Sequence, residues 1–367
     1  MISLCFSYFK AAKLKAVYYK YLLNFKVPGG TSRGVLHQKE TYFIKIQKAD
    51  KLGVGECALF RGLSHDDVIN YEDKLQWLCE HINEETEYLM EELREFPSIQ
   101  FGLEQAQLSL ASVNMFDLFP SDFSRGDDHI SINGLIWMGE KDYMIKQIED
   151  KLSQGFTTLK MKIGAIDFDT ELKILAYIRE RFGPDQVELR VDANGAFSAD
   201  EAVEKLNKLS AYQLHSIEQP IKAGQWEAMS KLCERSPIPI ALDEELIGIT
   251  EHSLKKEMLS AIRPQFIILK PSLIGGFRGS MEWVELARAN QTGWWITSAL
   301  ESNIGLNAIA QFTYKLKNPM PQGLGTGGLF NNNITSPLTV KDGALSMNMN
   351  QKWADLDQFI TTNFNIT

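Results

Sequence analysis

From Asp128 onward the chain alternates short apolar segments with amphipathic ones, and this recurrence restricts its fold more than any other feature. The segments ISINGLI, TLKMKIG, VELRVDANG, SIEQP, PIALDEE, FIILKPS, WWITSAL and PQGLGTG read as strands, spaced about 25 to 31 residues apart. A parallel βα unit needs about that length, because its return connection is a helix. Helix signals fall between the strands. Gly155 and Gly183 stand where helices stop, Pro184 follows the second, and Ser198 with Glu201 forms a capping box before AVEKLNKLS. Eight such units in about 200 residues predict a TIM-type barrel. An open doubly wound sheet would carry a Gly-rich phosphate turn after its first strand, and GLIWMGEK is not one.

Ahead of the barrel, residues 14–58 read as a β-meander, with the Gly-rich VPGGTSRG as a mobile loop between its first two strands. Ser64 is expected to cap a helix starting at His65, and SIQFGLEQAQLSLASVNMF carries apolar residues at helical spacing. The expected layout is an α+β unit over 1–125, a barrel over 126–328, and a segment 329–367 that packs back on the first unit.

The net charge of −9 and pI of 5.3 argue against nucleic acid, whose backbone needs clustered Lys and Arg, and favour a small-molecule substrate. Cys5, Cys57, Cys79 and Cys233 lack metal-site spacing and read as reduced thiols. Lys10, Lys13, Lys15 and Lys20 interrupt the apolar start, and no run approaches the ~18 residues of a membrane span. The expectation is a cytoplasmic protein with no membrane partner, compatible with an oligomer.

In a barrel, the C-terminal ends of the strands face the active site. Lys160 and Lys162 end the second strand, Asp192 and Asn194 the third, Glu218 the fourth, Asp243 the fifth, Lys270 the sixth and Ser298 the seventh. From Lys162 the steps are 30, 26, 25, 27 and 28 residues, one unit each. Three carboxylates on adjacent strand ends suit a hard octahedral cation, Mg²⁺ by preference, with Mn²⁺ as a substitute. Lys162 and Lys270 would face each other across the mouth, on either side of a substrate carboxylate. Such a site removes a proton α to that carboxylate. Lys160, on the same face as Lys162 and about 7 Å away, is expected to depress the pKa of Lys162 so that it can act as a base.

TLKMKIG, LRVDANGAF, IEQP, ALDEE, LKPSLIGG and GLGTG resemble, in order and spacing, the muconate-lactonising subgroup of the enolase superfamily. The resemblance implies a modified (β/α)7β TIM barrel with an α+β capping domain that the C-terminal segment completes. It implies Asp192, Glu218 and Asp243 as Mg²⁺ ligands, Lys162 as acid/base and Lys270 as the opposite lysine. SINGLIWMG, FGLEQAQLSL and SALESNIGLNAIAQF look most like the branch that converts 2-succinyl-6-hydroxy-2,4-cyclohexadiene-1-carboxylate to 2-succinylbenzoate by syn dehydration, in menaquinone biosynthesis. Arg190 would anchor the site from behind. Arg33 or Thr31 of the cap loop would meet a carboxylate, while Ser298 and the turn at Gly325 would donate to the succinyl tail. The rival readings are an N-succinylamino-acid racemase, a dipeptide epimerase, which would carry Asp-x-Asp where this chain has GLGTGGLF, and a non-catalytic scaffold.

Overall fold

The computed structural model describes residues 13–31 and 34–355. Cys5 and Lys10 lie outside them. Strands β1 (Lys15–Thr31), β2 (Gly34–Lys48) and β3 (Lys51–Cys57) form an antiparallel sheet in that order, and helices α1 (Tyr71–His81), α2 (Thr86–Glu92) and α3 (Pro97–Ala111) follow. The sheet buries Tyr42, Ile44 and Ile46 against Leu75, Leu78, Ile99 and Leu103 of the helices.

Two local expectations change here. VPGGTSRG is not simply a loop, since β1 runs through it to Thr31, with a register shift between Asn24 and Gly29. Its glycines serve close approach. A Cβ on Gly30 would sit 2.5 Å from the Met138 carbonyl oxygen, and one on Gly29 3.0 Å from the Trp137 ring. The hairpin arm thus lies against the barrel rim, where the Met138 N–H donates to the Gly30 carbonyl at 3.3 Å. Ser64 does not start a helix either. Its hydroxyl accepts from the Phe60 N–H at 2.9 Å, and α1 begins only at Tyr71. The intervening Asp66 is drawn to the start of α3 instead, accepting from the Ser98 N–H at 2.9 Å and the Ser98 hydroxyl at 2.6 Å.

After β4 (His129–Ser131) comes the parallel array: β5 (Gly134–Ile136), α4 (Lys141–Ser153), β6 (Thr158–Lys162), α5 (Phe168–Arg179), β7 (Glu188–Asp192), α6 (Ala199–Ser210), β8 (Ser216–Glu218), α7 (Trp226–Arg235), β9 (Ile240–Leu242), α8 (His252–Ile262), β10 (Phe266–Leu269), α9 (Gly276–Ala289), β11 (Gly293–Ile296) and α10 (Asn303–Lys315). The seven strands β5 to β11 pair in sequence order. The predicted eighth strand is reduced to two residues. Gln322 bridges Ile132 and Gly323 bridges Thr297, both parallel, which joins the first side of the sheet to the last. Gly155 follows α4 with φ 79° and Ser198 accepts from the Glu201 N–H at 3.3 Å, as their spacing predicts, whereas Gly183 lies three residues past the end cap of α5.

The C-terminal segment divides. Asn331 and Asn332 lie along β1, where the Asn331 N–H donates to the Asn24 carbonyl at 3.0 Å and Tyr21 Oη donates to the Asn332 carbonyl at 2.8 Å. The hairpin β12 (Leu338–Lys341) and β13 (Ala344–Met347) pairs instead with β4, away from the first sheet, because β4 offers β13 an open edge. No helix among the described residues is long and apolar enough to cross a membrane.

Glu104 of α3 joins the two units, accepting from the backbone N–H groups of Phe277 and Arg278 at the start of α9. Burial pushes its carboxyl up to about 7, against the pull of those two donors. The folded protein therefore holds this proton between about pH 4.5 and 7 where the unfolded chain has released it, so the contribution falls as pH rises through that window, by up to about 3 kcal/mol. Glu104→Gln is expected to flatten the fall in urea midpoint between pH 5 and 7; an unchanged slope would refute this.

Candidate active site

Strand pairing brings the acids together. Lys162 at the end of β6 pairs with Asp192 at the end of β7, which pairs with Glu218 at the end of β8, and Asp243 follows β9 next door. Period-two alternation turns Lys160, Lys162, Asp192 and Glu218 into the barrel, while Leu159, Met161 and Val191 pack outward in the main core. Lys162 Nζ lies 2.6 Å from Asp192 Oδ2 and 2.7 Å from Asn194 Oδ1. Asn194, at φ 45°, turns its amide to Glu244 at 2.9 Å and its N–H to Asp192 Oδ1 at 3.0 Å, so it holds Lys162 and Asp192 together.

Lys160 is not the free ammonium that repels Lys162. Its Nζ lies 2.9 Å from Asp192 Oδ2 and pairs also with Glu218. Burial works against its charge, but Asp192, Glu218 and Asp243 outweigh that and hold its pKa above the ordinary lysine value. Lys270 pairs with Asp243, and it too is held above the ordinary value despite burial. Asp192 lies well below the usual carboxylate range: burial opposes ionisation, but Lys160 and Lys162 prevail. Burial, then the nearby Asp192 charge, pushes Glu218 well above it.

As the side chains stand, ammonium groups occupy the space between the acids, and no three His, Cys, Asp or Glu among the described residues close on one point. The donor set nevertheless fits a hard cation. It is all oxygen, and Glu218 Oε1 is buried with no hydrogen-bond partner.

A cavity of about 270 Å³ opens above this floor. Lys160, Lys162 and Lys270 line it, with Leu36 from the cap and Phe60, Leu135, Trp137, Leu300 and Leu329 as apolar walls. Ser298 and Gly325 line it as predicted. The single Ser298 hydrogen points to Glu301 Oε2 at 2.5 Å. Arg190 is absent from the wall. It lies two residues before Asp192 and thus one layer deeper, on Glu188 at 2.7 Å, the Pro321 carbonyl at 2.9 Å and the Trp295 ring. Arg33 lies outside the described residues, as does the side chain of Thr31. Leu36, Trp137 and Glu301 escaped sequence reasoning; the one signal for Glu301 was an acid within the apolar stretch WWITSALES.

Residues 143–350 match the enolase C-terminal domain-like family, and residues 13–110 match the MenC N-terminal domain. The chain is 48% identical over 356 residues to the o-succinylbenzoate synthase of Desulfotalea psychrophila, covering 89% of this chain and 96% of that one. It belongs to the o-succinylbenzoate synthase (MenC) family of the enolase superfamily. The crystal structure of MenC from D. psychrophila superposes with a TM-score of 0.81 at 44% identity, over 91% of this chain and 99% of that chain. The L-Ala-D/L-Glu epimerase of Bacillus subtilis is more distant, at 27% identity over 52% of each chain. Both the cap and the barrel of this protein are therefore those of the MenC family.

Proposed function

We propose that this enzyme dehydrates 2-succinyl-6-hydroxy-2,4-cyclohexadiene-1-carboxylate to 2-succinylbenzoate in menaquinone biosynthesis in the cytoplasm. The carrying observation is the convergence of Lys162 and Lys270 with three strand-end carboxylates under one apolar cavity. On this reading residues 126–328 form the catalytic barrel and 1–125 its cap, which the chain at Asn331 and Asn332 joins, while the hairpin 338–347 stays with β4.

Lys162 takes the proton α to the substrate carboxylate, and the resulting ammonium returns it to the departing hydroxide on the same face, so that water leaves. Asp192 and Asn194 hold its Nζ for both transfers. Asp192, Glu218 and Asp243 would hold Mg²⁺, or Mn²⁺ in its place, which when bound supplies positive charge beside the carboxylate as that group takes up electrons. Lys270 supplies an ammonium over the forming ring rather than a second base. The apolar walls keep water from competing for the proton.

The test compares kcat/KM, in Mg²⁺, for the cyclohexadiene carboxylate, N-succinylamino acids and dipeptides. Dehydration is expected to be fastest by orders of magnitude. Faster racemisation of an N-succinylamino acid would overturn the proposal in favour of a racemase, in which both lysines act as bases on opposite faces.

A further inference from the structure

Glu301 is fully buried, and nothing in the reaction above uses it. Its Oε1 accepts from the Ser272 hydroxyl at 2.6 Å, and its Oε2 from the Ser298 hydroxyl at 2.5 Å. Ser272 stands two residues past Lys270, in the single 3₁₀ turn Pro271–Leu273, whose Leu273 N–H donates to the Lys270 carbonyl at 2.8 Å. Ser298 follows β11, and its oxygen also accepts from the Leu300 N–H at 3.1 Å and from Thr326 Oγ1 at 2.8 Å. One carboxylate thus ties together the ends of the sixth and seventh strands and the loop after the eighth.

The cap reaches the same loop beside Glu301 through Glu56 of β3, which accepts from the Ser302 and Gly305 N–H groups at 2.9 Å each, from the Ser302 hydroxyl at 2.5 Å, and from Thr41 Oγ1 at 2.8 Å. Lys39 of β2 is buried near these acids, and its ammonium has no hydrogen-bond partner among the described residues. Of the carboxylates whose fields reach it, Glu56 acts more strongly than Glu301.

We infer that Glu301 is a positioning residue for Lys270: through Ser272 it holds the turn that follows this lysine, and through Ser298 it ties that turn to the end of the seventh strand. The inference rests on the proposed role of Lys270 in dehydration. Glu301→Leu fills the volume but removes both acceptors, and is expected to lower kcat about 30-fold with KM within about threefold. Glu301→Gln can still bond both serines and should keep kcat within about fivefold of the parent. Amide hydrogen exchange at residues 272–274, read without substrate, should speed up at least about tenfold in Glu301→Leu. Unaltered exchange, or a Leu variant with kcat within twofold of the parent, overturns the inference. Should Glu301→Leu fail to fold, Ser272→Ala breaks one of the two ties and must show the same faster exchange. An inactive parent protein would defeat the reaction assignment, and the exchange measurement would still decide the positioning.

Discussion

Lys162→Ala is expected to lower kcat for dehydration by at least about 10³-fold while KM and thermal midpoint change little, since general acid–base catalysis supplies about 10²–10⁴-fold and this residue serves twice. In the proposed mechanism the same amine removes the α-proton and protonates the leaving hydroxide, so its loss would disable both halves of the reaction. The stability expectation follows from the geometry. Lys162 Nζ shares Asp192 Oδ2 with Lys160 Nζ at 2.9 Å, so removing Lys162 leaves the buried Asp192 with a cationic partner. Breaking a buried pair by taking one partner away ordinarily costs several kcal/mol, and that cost is avoided here. Rapid-mix turnover with substrate deuterated at the α-carbon separates the possibilities. The parent should show a primary isotope effect on the chemical step and the variant no measurable product. A variant that dehydrates at the parent rate would remove Lys162 from the mechanism and leave Lys160 and Lys270 among the amines that line the cavity.

How much of this was legible in the sequence depends on the kind of contact involved. Lys162, Asp192, Glu218, Asp243 and Lys270 were readable because each ends a strand one βα unit after the last, and parallel pairing in sequence order turns that spacing into neighbourhood. Alternation likewise put Arg190 on the inward face behind Asp192, and two residues along β7, about 7 Å, set it one layer deeper, against the Trp295 ring. The carboxylate partners of Lys160 were not legible for a related reason. Spacing places its backbone beside that of Lys162, whereas the long side chain reaches Glu218 on the second strand over. The glycines of VPGGTSRG carry one composition for two uses, a turn or a close approach, and only the position of Met138 shows that Gly30 serves the second. Glu301 depends on Ser272 and Ser298, and a carboxylate whose partners come from two different strand ends leaves no periodic trace.

Glu218→Gln should have opposite effects on stability with and without Mg²⁺, and this sign reversal is the sharpest test of the metal assignment. Glu218 is the middle acid of three on adjacent strands, buried, with Oε1 unpartnered, and its carboxyl is pushed well above the usual range by burial and by Asp192. Without a divalent cation the amide relieves that strain: it removes one of three crowded carboxyl groups, keeps the volume, and leaves Lys160 paired with Asp192. The variant should then be as stable as the parent or more stable, by about 1 kcal/mol. With Mg²⁺ the order inverts. A ligand that binds only the folded state stabilises by RT ln(1 + [L]/Kd), about 2.7 kcal/mol at a hundred times Kd, and an amide in place of the central carboxylate should weaken binding at least about 100-fold. Thermal midpoints across a Mg²⁺ titration therefore rise for the parent and stay nearly flat for Glu218→Gln over the same range, so the two curves cross. The kcat/KM for dehydration should fall at least about 10³-fold at Mg²⁺ concentrations that saturate the parent. Parallel Mg²⁺ curves for the two proteins would place the cation elsewhere or remove it altogether, and leave Glu218 as a counter-charge for Lys160 alone.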